Sequence, residues 1–377
     1  MSLPTNIAAG YPDHPGLHNK ANTKVNAVTG LVPRVNASMN VEAIRAIIEA
    51  ARYSTNGATI HIDAGTFDIN DTIEFRNLSG LRFIGSGGAT VFRWTGNNAN
   101  KPVFKLAHCH HCYLADFQIK IDSLAYAGIQ QLRDNVAPSN VTPMRNEYQR
   151  VDIYCNNAAA TGFMVGGTGM VDANNDFGLF DNCRAQDYTA QAWFLGGSQS
   201  YGNEMRHCYA FTAFNGQYAV LAYTQNGHFN WYGGFVGGHS KADFYIGRSY
   251  QPYLIEGVNG ENSARLLEVP NGVYRQVTLR SVRWAGNMLH ADRKAIITSG
   301  RSNLLMEHCV LGDGSSNAPL TLEFIGSLDG TTGSLVMIGN RIYSTAANVF
   351  TNDVPGMMYG NSKITDEALV TTEPLVA

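Results

Sequence analysis

Charged side chains are scarce in this chain, and no run of basic residues occurs. Only 15% of the residues are Asp, Glu, Lys or Arg, and the formal net charge is -3. A surface that binds nucleic acid needs clustered basic residues, so we expect no nucleic-acid partner. The low charge also argues against surface helices, whereas the 39 glycines favour strands joined by tight turns.

Long apolar runs and a dense cysteine pattern are also missing. No stretch approaches the ~18 apolar residues of a membrane span, and the start of the chain lacks the charged and apolar regions of a signal peptide. Six cysteines in 377 residues do not form a disulfide framework, so we expect reduced thiols. These absences predict no membrane span and leave the compartment open.

A loose internal repeat is the strongest pattern that is present. Ten similar segments follow one another, with starts 24 to 36 residues apart. This spacing fits coils of three short strands with their turns, stacked at ~4.8 Å. The segments cover residues 77–83, 113–119, 147–153, 179–185, 204–210, 230–236, 254–260, 278–284, 305–311 and 336–342.

Three columns of the aligned repeat are apolar or small and should face a core. The second position is apolar in all ten copies, from Leu78 to Met337. Strand side chains alternate, so inward positions three residues apart require a corner between them. The fourth column, rich in residues that tolerate positive φ, predicts a one-residue bend. It holds Gly80, Asp116, Arg150, Asn182, His207, Gly233, Gly257, Ser281, His308 and Gly339.

The columns predict an all-β solenoid of about ten or more coils, a parallel β-helix. Asn40 followed by apolar residues at helical spacing predicts a capping helix over residues 41–52 at the N-terminal end. The expected organisation is an N-terminal extension over 1–40, the β-helix with its capping helix over 41–345, and a C-terminal cap and tail over 346–377.

Residues 40–95 resemble the N-terminal module of the pectate-lyase-like superfamily of right-handed parallel β-helices, which includes polysaccharide-degrading bacteriophage tailspikes. The matching parts are the helix, the segment GATIHIDAGTFDINDTIEF and the segment LSGLRFIGSGGATVFRW, although Asp63 and Phe67 stand where the family has Pro and Tyr. The resemblance implies a lyase, hydrolase or epimerase acting on a polysaccharide. A tailspike depolymerase would be a homotrimer and would be extracellular or virion-associated.

Outward positions after the bend carry side chains suited to sugars. Aromatic rings pack on the C–H faces of sugars, and charged or amide groups bind their hydroxyls. We predict catalytic residues Asp152, Asp181, Arg184 and Tyr209, with substrate-binding residues Lys120, Tyr154, Glu204, Phe211 and Phe235. The long segments 121–146 and 155–178 should leave the coil as loops that wall this groove.

Two reactions fit these residues, and a lyase is slightly favoured over a hydrolase. In a lyase, Arg184 neutralises a uronate carboxylate and Tyr209 acts as acid or base. A hydrolase needs two carboxylates, drawn from Asp152, Asp181, Asp187 or Glu204. The competing interpretation is a solvated face with scattered charge, and the alternative function is a non-catalytic glycan-binding or structural spike.

The run His-Cys-His-His-Cys at 108–112 contains zinc-type ligands. Neighbours on an extended strand point to opposite faces, so these side chains cannot all converge on one ion. We expect a loop with Cys112 turned inward, and no metal or cofactor; nothing in the sequence indicates a divalent cation such as calcium. Cys183, Cys208 and Cys309 occupy an inward column and are interpreted as core residues.

Apolar residues also occur at outward positions before the bend. Exposed apolar rows of this kind are typical of interfaces. We therefore expect a homotrimer whose contact includes Leu179, Leu254, Leu305 and Val336.

Overall fold

The chain winds into a solenoid of short parallel strands, arranged as three stacks around one core. The computed structural model describes residues 33–52, 57–134, 143–167, 175–196, 200–213, 215–223, 227–247, 251–270, 275–286, 294–299, 302–312, 320–325, 333–346, 349–350, 356–364 and 373–374. Within these residues each strand from β2 onward pairs in parallel with strands one coil away, except the last, β34, which pairs antiparallel. The predicted parallel β-helix is confirmed.

Strands are numbered in chain order, and each coil passes through sheets 1, 2 and 3 in turn. Sheet 1 contains β1 (Arg34–Val35), β2 (Thr59–Ile62), β5 (Arg82–Ile84), β8 (Tyr113–Ile121), β10 (Glu147–Tyr154), β12 (Leu179–Asp181), β15 (Ser200–Arg206), β18 (Gly227–Tyr232), β21 (Tyr253–Glu256), β24 (Arg275–Arg280), β27 (Ser302–Glu307), β30 (Ser334–Ile338) and β32 (Gly356–Tyr359).

Sheet 2 follows sheet 1 along each coil, and the long strands β8 and β10 run through both. Besides the second halves of these two strands, sheet 2 contains β3 (Gly65–Ile69), β6 (Thr90–Trp94), β13 (Arg184–Gln186), β16 (Tyr209–Phe211), β19 (Phe235–Gly237), β22 (Asn259–Glu261), β25 (Arg283–Trp284), β28 (Val310–Leu311), β31 (Arg341–Tyr343), β33 (Ser362–Ile364) and the antiparallel β34 (Glu373–Pro374).

Sheet 3 completes each coil, and its ten strands form no backbone hydrogen-bond ladder with the strands of sheets 1 and 2 in the described residues. It contains β4 (Ile73–Arg76), β7 (Phe104–Ala107), β9 (Ala125–Leu132), β11 (Ala159–Val165), β14 (Gln191–Leu195), β17 (Tyr218–Ala222), β20 (Ala242–Ile246), β23 (Leu267–Val269), β26 (Lys294–Ser299) and β29 (Thr321–Ile325).

The predicted bend column is confirmed, since all ten of its residues have φ between +50° and +67°. Nine of them turn the chain from sheet 1 to sheet 2. The inward columns on either side are buried except at Gly234, which is half-buried. The pairing of Met205 with Trp231 and of Trp231 with Ile255 follows the predicted register. A single left-handed residue therefore makes the corner that the spacing of three requires.

The first copy of the predicted repeat is out of register, which is a correction. The sequence alignment set Leu78 against Leu114, whereas the structure pairs Phe83 with Leu114. The reason is local, because this coil replaces the one-residue bend by a longer link that includes a 3-10 turn over Gly87–Ala89. Gly80 bends the chain between sheets 3 and 1 instead.

The predicted helix is confirmed as α1 (Val41–Ala51). The Asn40 side chain accepts a hydrogen bond from the Ala43 N–H at 2.9 Å, which satisfies one free N–H of the first turn. Ile44 and Ile48 are buried in the same core as the coils. The helix is the longest in the described residues, and none there is long and apolar enough to cross a membrane. Its role as an end cover stays a prediction.

The solenoid continues past residue 345, where the sequence pattern was expected to end. β32 pairs with β30, and β33 pairs with β31, both in parallel. The inward position of this coil holds Asn361, whose Oδ1 accepts from Asn340 Nδ2 at 2.9 Å. An asparagine ladder thus replaces the apolar column, which is why apolar spacing missed it. Most of the expected extension (1–40) and the tail after residue 364 lie outside the described residues.

Candidate active site

The outer face of sheet 2 presents two rows of side chains in the predicted register. Parallel pairing aligns each residue with its counterpart one coil away. Neighbours in a row are therefore about 4.8 Å apart. The first row runs Gln118, Asp152, Arg184, Tyr209, Phe235, Asn259 and Arg283, and the second runs Lys120, Tyr154, Gln186, Phe211, Gly237 and Glu261.

Arg184 lies at the centre of the first row and has no ion pair among the described residues. Its guanidinium carbon is 4.8 Å from the centroid of the Tyr209 ring, and Nη1 donates to the Tyr154 hydroxyl at 3.3 Å. Nε is buried without a hydrogen-bond partner in the described part of the chain. A buried N–H of a charged group is costly to leave unpaired. Within the described residues, the guanidinium therefore has neither a carboxylate partner nor an acceptor for Nε.

Asp152 is the neighbour of Arg184 on the preceding coil, and it is partly buried. Burial raises the pKa of this carboxyl, and the positive charge of Arg184 only partly offsets the rise. A carboxyl with a raised pKa on a partly exposed face is a candidate for proton transfer.

Tyr209 follows Arg184 on the next coil and belongs to an aromatic cluster. Its ring stacks on that of Phe235, with 5.0 Å between the ring centroids and 18° between the ring planes. The ring centroid of Phe211 lies 6.2 Å from that of Tyr209 and 6.3 Å from that of Phe235. Desolvation is the main cause that raises the pKa of the Tyr209 hydroxyl. The hydroxyl therefore stays protonated near neutral pH and can donate a proton.

A groove lies beside the Arg184 site, over the N-terminal coils of sheet 2. Its volume is about 590 Å³, and Tyr154 is shared between the groove and the Arg184 site. Arg93 in the groove is held by Asp68 through two hydrogen bonds of 2.7 and 2.8 Å. Asn156 donates to Asp122 at 2.6 Å. The lining residues are Thr66, Val91, Arg93, Gln118, Lys120, Asp122, Tyr154 and Asn156.

Two predicted site residues lie elsewhere. Asp181 and Glu204 are on sheet 1, and the bend at Asn182 separates Asp181 from Arg184. Glu204 pairs with Arg206, whose Nε donates to it at 3.0 Å. Asp181 is only three residues from Arg184 along the chain, so the sequence suggested that the two side chains share a face. The bend at Asn182 instead places the residues before it on sheet 1 and those after it on sheet 2. The structure therefore does not bring Asp181 and Glu204 to Asp152.

The expected groove walls are also corrected. Segments 121–146 and 155–178 contain β9 and β11 of sheet 3, and only short links, 122–124 and 155–158, join sheet 2 to sheet 3. The remaining parts, 135–142 and 168–174, lie outside the described residues and connect sheet 3 to sheet 1. The described edge of the groove is formed by these links, through Asp122 and Asn156.

The His-Cys run does not assemble as a metal centre. Cys109 and Cys112 are buried, as expected for Cys112, and burial raises the pKa of Cys109 well above its usual range. His108 is buried with Nε2 2.9 Å from Asp134 Oδ1. No group of three or more His, Cys, Asp or Glu in the described residues is placed to hold a metal ion. Cys183, Cys208 and Cys309 are buried and free, as core residues would be.

Sequence reasoning missed a polar network inside the solenoid, where sheet 2 turns into sheet 3. His239 is fully buried, with Nε2 against the Tyr188 hydroxyl and Nδ1 2.6 Å from Asp243 Oδ1. Asp243 also accepts from Ser263 Oγ and, at 2.9 Å, from Trp284 Nε1. The members come from several coils without a common spacing, so no motif marks them.

No family model and no curated protein sequence matches this chain. Solved structures similar to it include the following three. The A-module of mannuronan C-5 epimerase AlgE4 from Azotobacter vinelandii has a TM-score of 0.64 at 13% identity, covering 89% of this chain and 94% of its own. The A-module of mannuronan C-5 epimerase AlgE6 from the same organism has a TM-score of 0.59 at 13% identity, and the match covers 88% of this chain and 99% of that module. The catalytic unit of a GH87 alpha-1,3-glucanase from Streptomyces thermodiastaticus has a TM-score of 0.51 at 12% identity, and the match covers 91% of this chain and 71% of that unit.

At these identities the likeness concerns the fold. The chain has the parallel β-helix fold that the resemblance of residues 40–95 implied. The fold hosts several reactions, so the reaction has to be argued from the side chains of the site.

Proposed function

We propose that this protein is a polysaccharide-active enzyme that processes a uronate-containing glycan on the outer face of sheet 2, by elimination. The observation that carries the proposal is Arg184. It is a cation without an ion pair among the described residues, held between a tyrosine hydroxyl and a tyrosine ring, and its Nε has no acceptor there. A uronate carboxylate would supply the counter-charge of the guanidinium.

The neighbours of Arg184 supply the proton transfers of an elimination. Arg184 neutralises the carboxylate, which makes the C5 proton more acidic. Asp152 takes that proton, the C–H electron pair forms the C4–C5 double bond, and the C4–O bond breaks. Tyr209, kept protonated by its raised pKa, donates a proton to the departing oxygen. In this proposal Tyr209 is the acid, not the base.

Hydrolysis is less well supported by the same face. It needs two carboxyl groups about 5–9.5 Å apart, and the register neighbours of Asp152 are Gln118 and Arg184, which are not carboxylates. Asp181 and Glu204 lie on sheet 1. Epimerisation shares the C5 proton abstraction with elimination, and two of the similar structures are named as C-5 epimerases; it differs in returning a proton to the opposite face.

The test is an assay of the full chain on pectate, alginate and a panel of bacterial capsules. We expect new ultraviolet absorbance from the unsaturated uronate together with new reducing ends. Arg184→Gln, Asp152→Asn and Tyr209→Phe should each lower kcat/KM by about 100-fold or more. The control Arg341→Gln removes an exposed cation from the far end of sheet 2 and should keep full activity.

Other products of this assay would contradict elimination. Reducing ends without absorbance would mean hydrolysis, and altered sugar composition without cleavage, seen by NMR, would mean epimerisation. Neither cleavage nor altered composition across the panel would favour the non-catalytic glycan-binding or structural spike.

The biological setting is part of the same proposal. A depolymerase of the tailspike kind would act outside the cell or on a virion, and would assemble as a homotrimer. The outward apolar row of sheet 1 is interrupted, since Glu204 and Asn230 stand between Leu179 and Leu254. It is continuous only from Leu305 through Val336 to Met357. We therefore propose the trimer contact at this C-terminal end.

A further inference from the structure

Lys120 is an exposed cation in the groove, and no ion pair to it exists among the described residues. Nearby cations behave differently. Arg93 is fixed by Asp68, Lys101 pairs with Asp71 at 2.6 Å, and Arg150 pairs with Asp116 at 2.6 Å. Asp122, two residues after Lys120, binds Asn156 instead. On this part of sheet 2, Lys120 and Arg184 are thus the two cations that form no ion pair with a carboxylate of the described residues.

The position of Lys120 relative to Arg184 follows from the strand register. Lys120 pairs with Tyr154, and Tyr154 pairs with Gln186, so Arg184 lies two coils further along the solenoid. Two coils correspond to about 10 Å. Tyr154 stands between them, because it lines the groove and its hydroxyl accepts from Arg184. A chain lying across the coils would meet Lys120, Tyr154 and Arg184 in that order.

We infer that Lys120 forms a second carboxylate subsite, which binds another uronate of the same glycan chain whose reacting residue is held by Arg184. This inference rests on the proposed function and specifies its substrate as a glycan with uronates on at least two residues. The strands that carry the two cations are about 10 Å apart, which is more than one sugar ring, so we assign a separate uronate to each cation. Lysine, a compact and mobile charge, suits a binding subsite, whereas the planar arginine suits the reacting residue.

The experiment compares Lys120→Gln with Lys241→Gln, a matched loss of an exposed lysine on the link into sheet 3. Both changes are made in the full chain carrying Asp152→Asn, so that turnover does not interfere. The probes for calorimetry are tetragalacturonate, tetramannuronate, their carboxyl-reduced neutral forms, and single uronic acids. We expect Lys120→Gln to weaken binding of the acidic tetrasaccharide by about fivefold to tenfold. Lys241→Gln should bind like its parent, and Lys120→Arg should recover most of the loss.

The result that would overturn the inference is equal binding of the acidic tetrasaccharides by the Lys120→Gln and Lys241→Gln proteins. Equal binding of acidic and carboxyl-reduced tetrasaccharides would overturn it as well. The first result would leave the proposed function standing if Arg184→Gln still lowers the activity of the otherwise unchanged chain, whereas the second would also count against a carboxylate at Arg184. Failure of the unchanged chain to bind or process any acidic glycan is a different result, because it removes the proposed function and this subsite together.

Discussion

Two pairs of opposite charge on the outer face of sheet 2 differ in their electrostatic environment. Asp152 and Arg184 are neighbours in register, yet they do not form an ion pair, and burial raises the pKa of the carboxyl. Asp68 and Arg93, on the same sheet, form a doubly hydrogen-bonded pair instead, which lowers the pKa of Asp68. Similar residue types thus have opposite electrostatic roles on one face.

This contrast predicts opposite effects on stability. Because the folded state raises the pKa of Asp152, its ionisation costs folding stability as the pH rises above the ordinary value of 3.8. At neutral pH, Asp152→Asn should therefore keep or raise the melting temperature while activity is lost. Asp68 has a lowered pKa, so its ionised form contributes stability above its unfolded pKa. Asp68→Asn should slightly lower the melting temperature. Calorimetry of both variants beside the unchanged protein measures whether the two melting temperatures shift in these directions.

The pH dependence of catalysis should report Asp152 directly. As a base, Asp152 must be ionised, so kcat/KM should fall as the pH drops through a pKa above that of an ordinary aspartate. Arg184 holds that pKa down, so the acid limb of the residual activity of Arg184→Gln should move to higher pH. A limb that stays in place or moves to lower pH would show that another group titrates.

At the scale of elements, the one-residue bend was predictable because few residue types tolerate positive φ. Gly, Asn, Asp and His marked the column, and the spacing of inward residues required a corner there. Two members do not fit the usual preference, Arg150 and Ser281, at φ of 50° and 51°. Their conformation is imposed by the coils on either side.

Substitutions at the bend should therefore act in opposite directions. Ser281 is exposed, and Ser281→Gly should stabilise the protein by up to about 1 kcal/mol, because glycine removes the cost of the left-handed conformation. Gly339→Ala should destabilise it, since the new Cβ would lie 2.7 Å from His308 Nδ1 at a φ of 62°. Chemical denaturation of both variants measures the difference, and equal effects would contradict the role of the bend.

The buried network behind sheet 2 holds several coils together. His239→Ala would leave the fully buried Asp243 without one of its hydrogen-bond partners. We expect this change to lower the free energy of unfolding by about 3 kcal/mol or more. The matched control is His61→Ala, at an exposed position of β2, with an expected change below about 0.5 kcal/mol. Similar denaturation midpoints for the two variants would show that the network contributes little.

At the scale of the whole molecule, the solenoid could be predicted because each coil repeats the same inward columns. The register of the outer rows followed from those columns, which is why Asp152, Arg184 and Tyr209 were correctly placed side by side. Asp181 was misplaced because a sharp bend changes the sheet within two residues. The buried network and the final coil could not be predicted, since they depend on polar contacts between coils rather than on apolar spacing.

The apolar row from Leu305 to Met357 on sheet 1 predicts the oligomeric state. We expect light scattering to give a trimer, and Val336→Glu to shift it towards monomer by placing a charge in the continuous apolar row. Asn259→Glu, at an exposed position of sheet 2, is the control and should leave the mass unchanged. A monomer for the unchanged protein at working concentration would contradict the trimer.

The most direct test of the account is a crystal structure of the Asp152→Asn protein with tetragalacturonate or tetramannuronate bound. We expect the sugar chain on the outer face of sheet 2, lying across the coils, with one carboxylate within hydrogen-bond distance of Arg184 and its ring beside Tyr209. A sugar chain bound on the outer face of sheet 1 or sheet 3, with no carboxylate at Arg184, would contradict it.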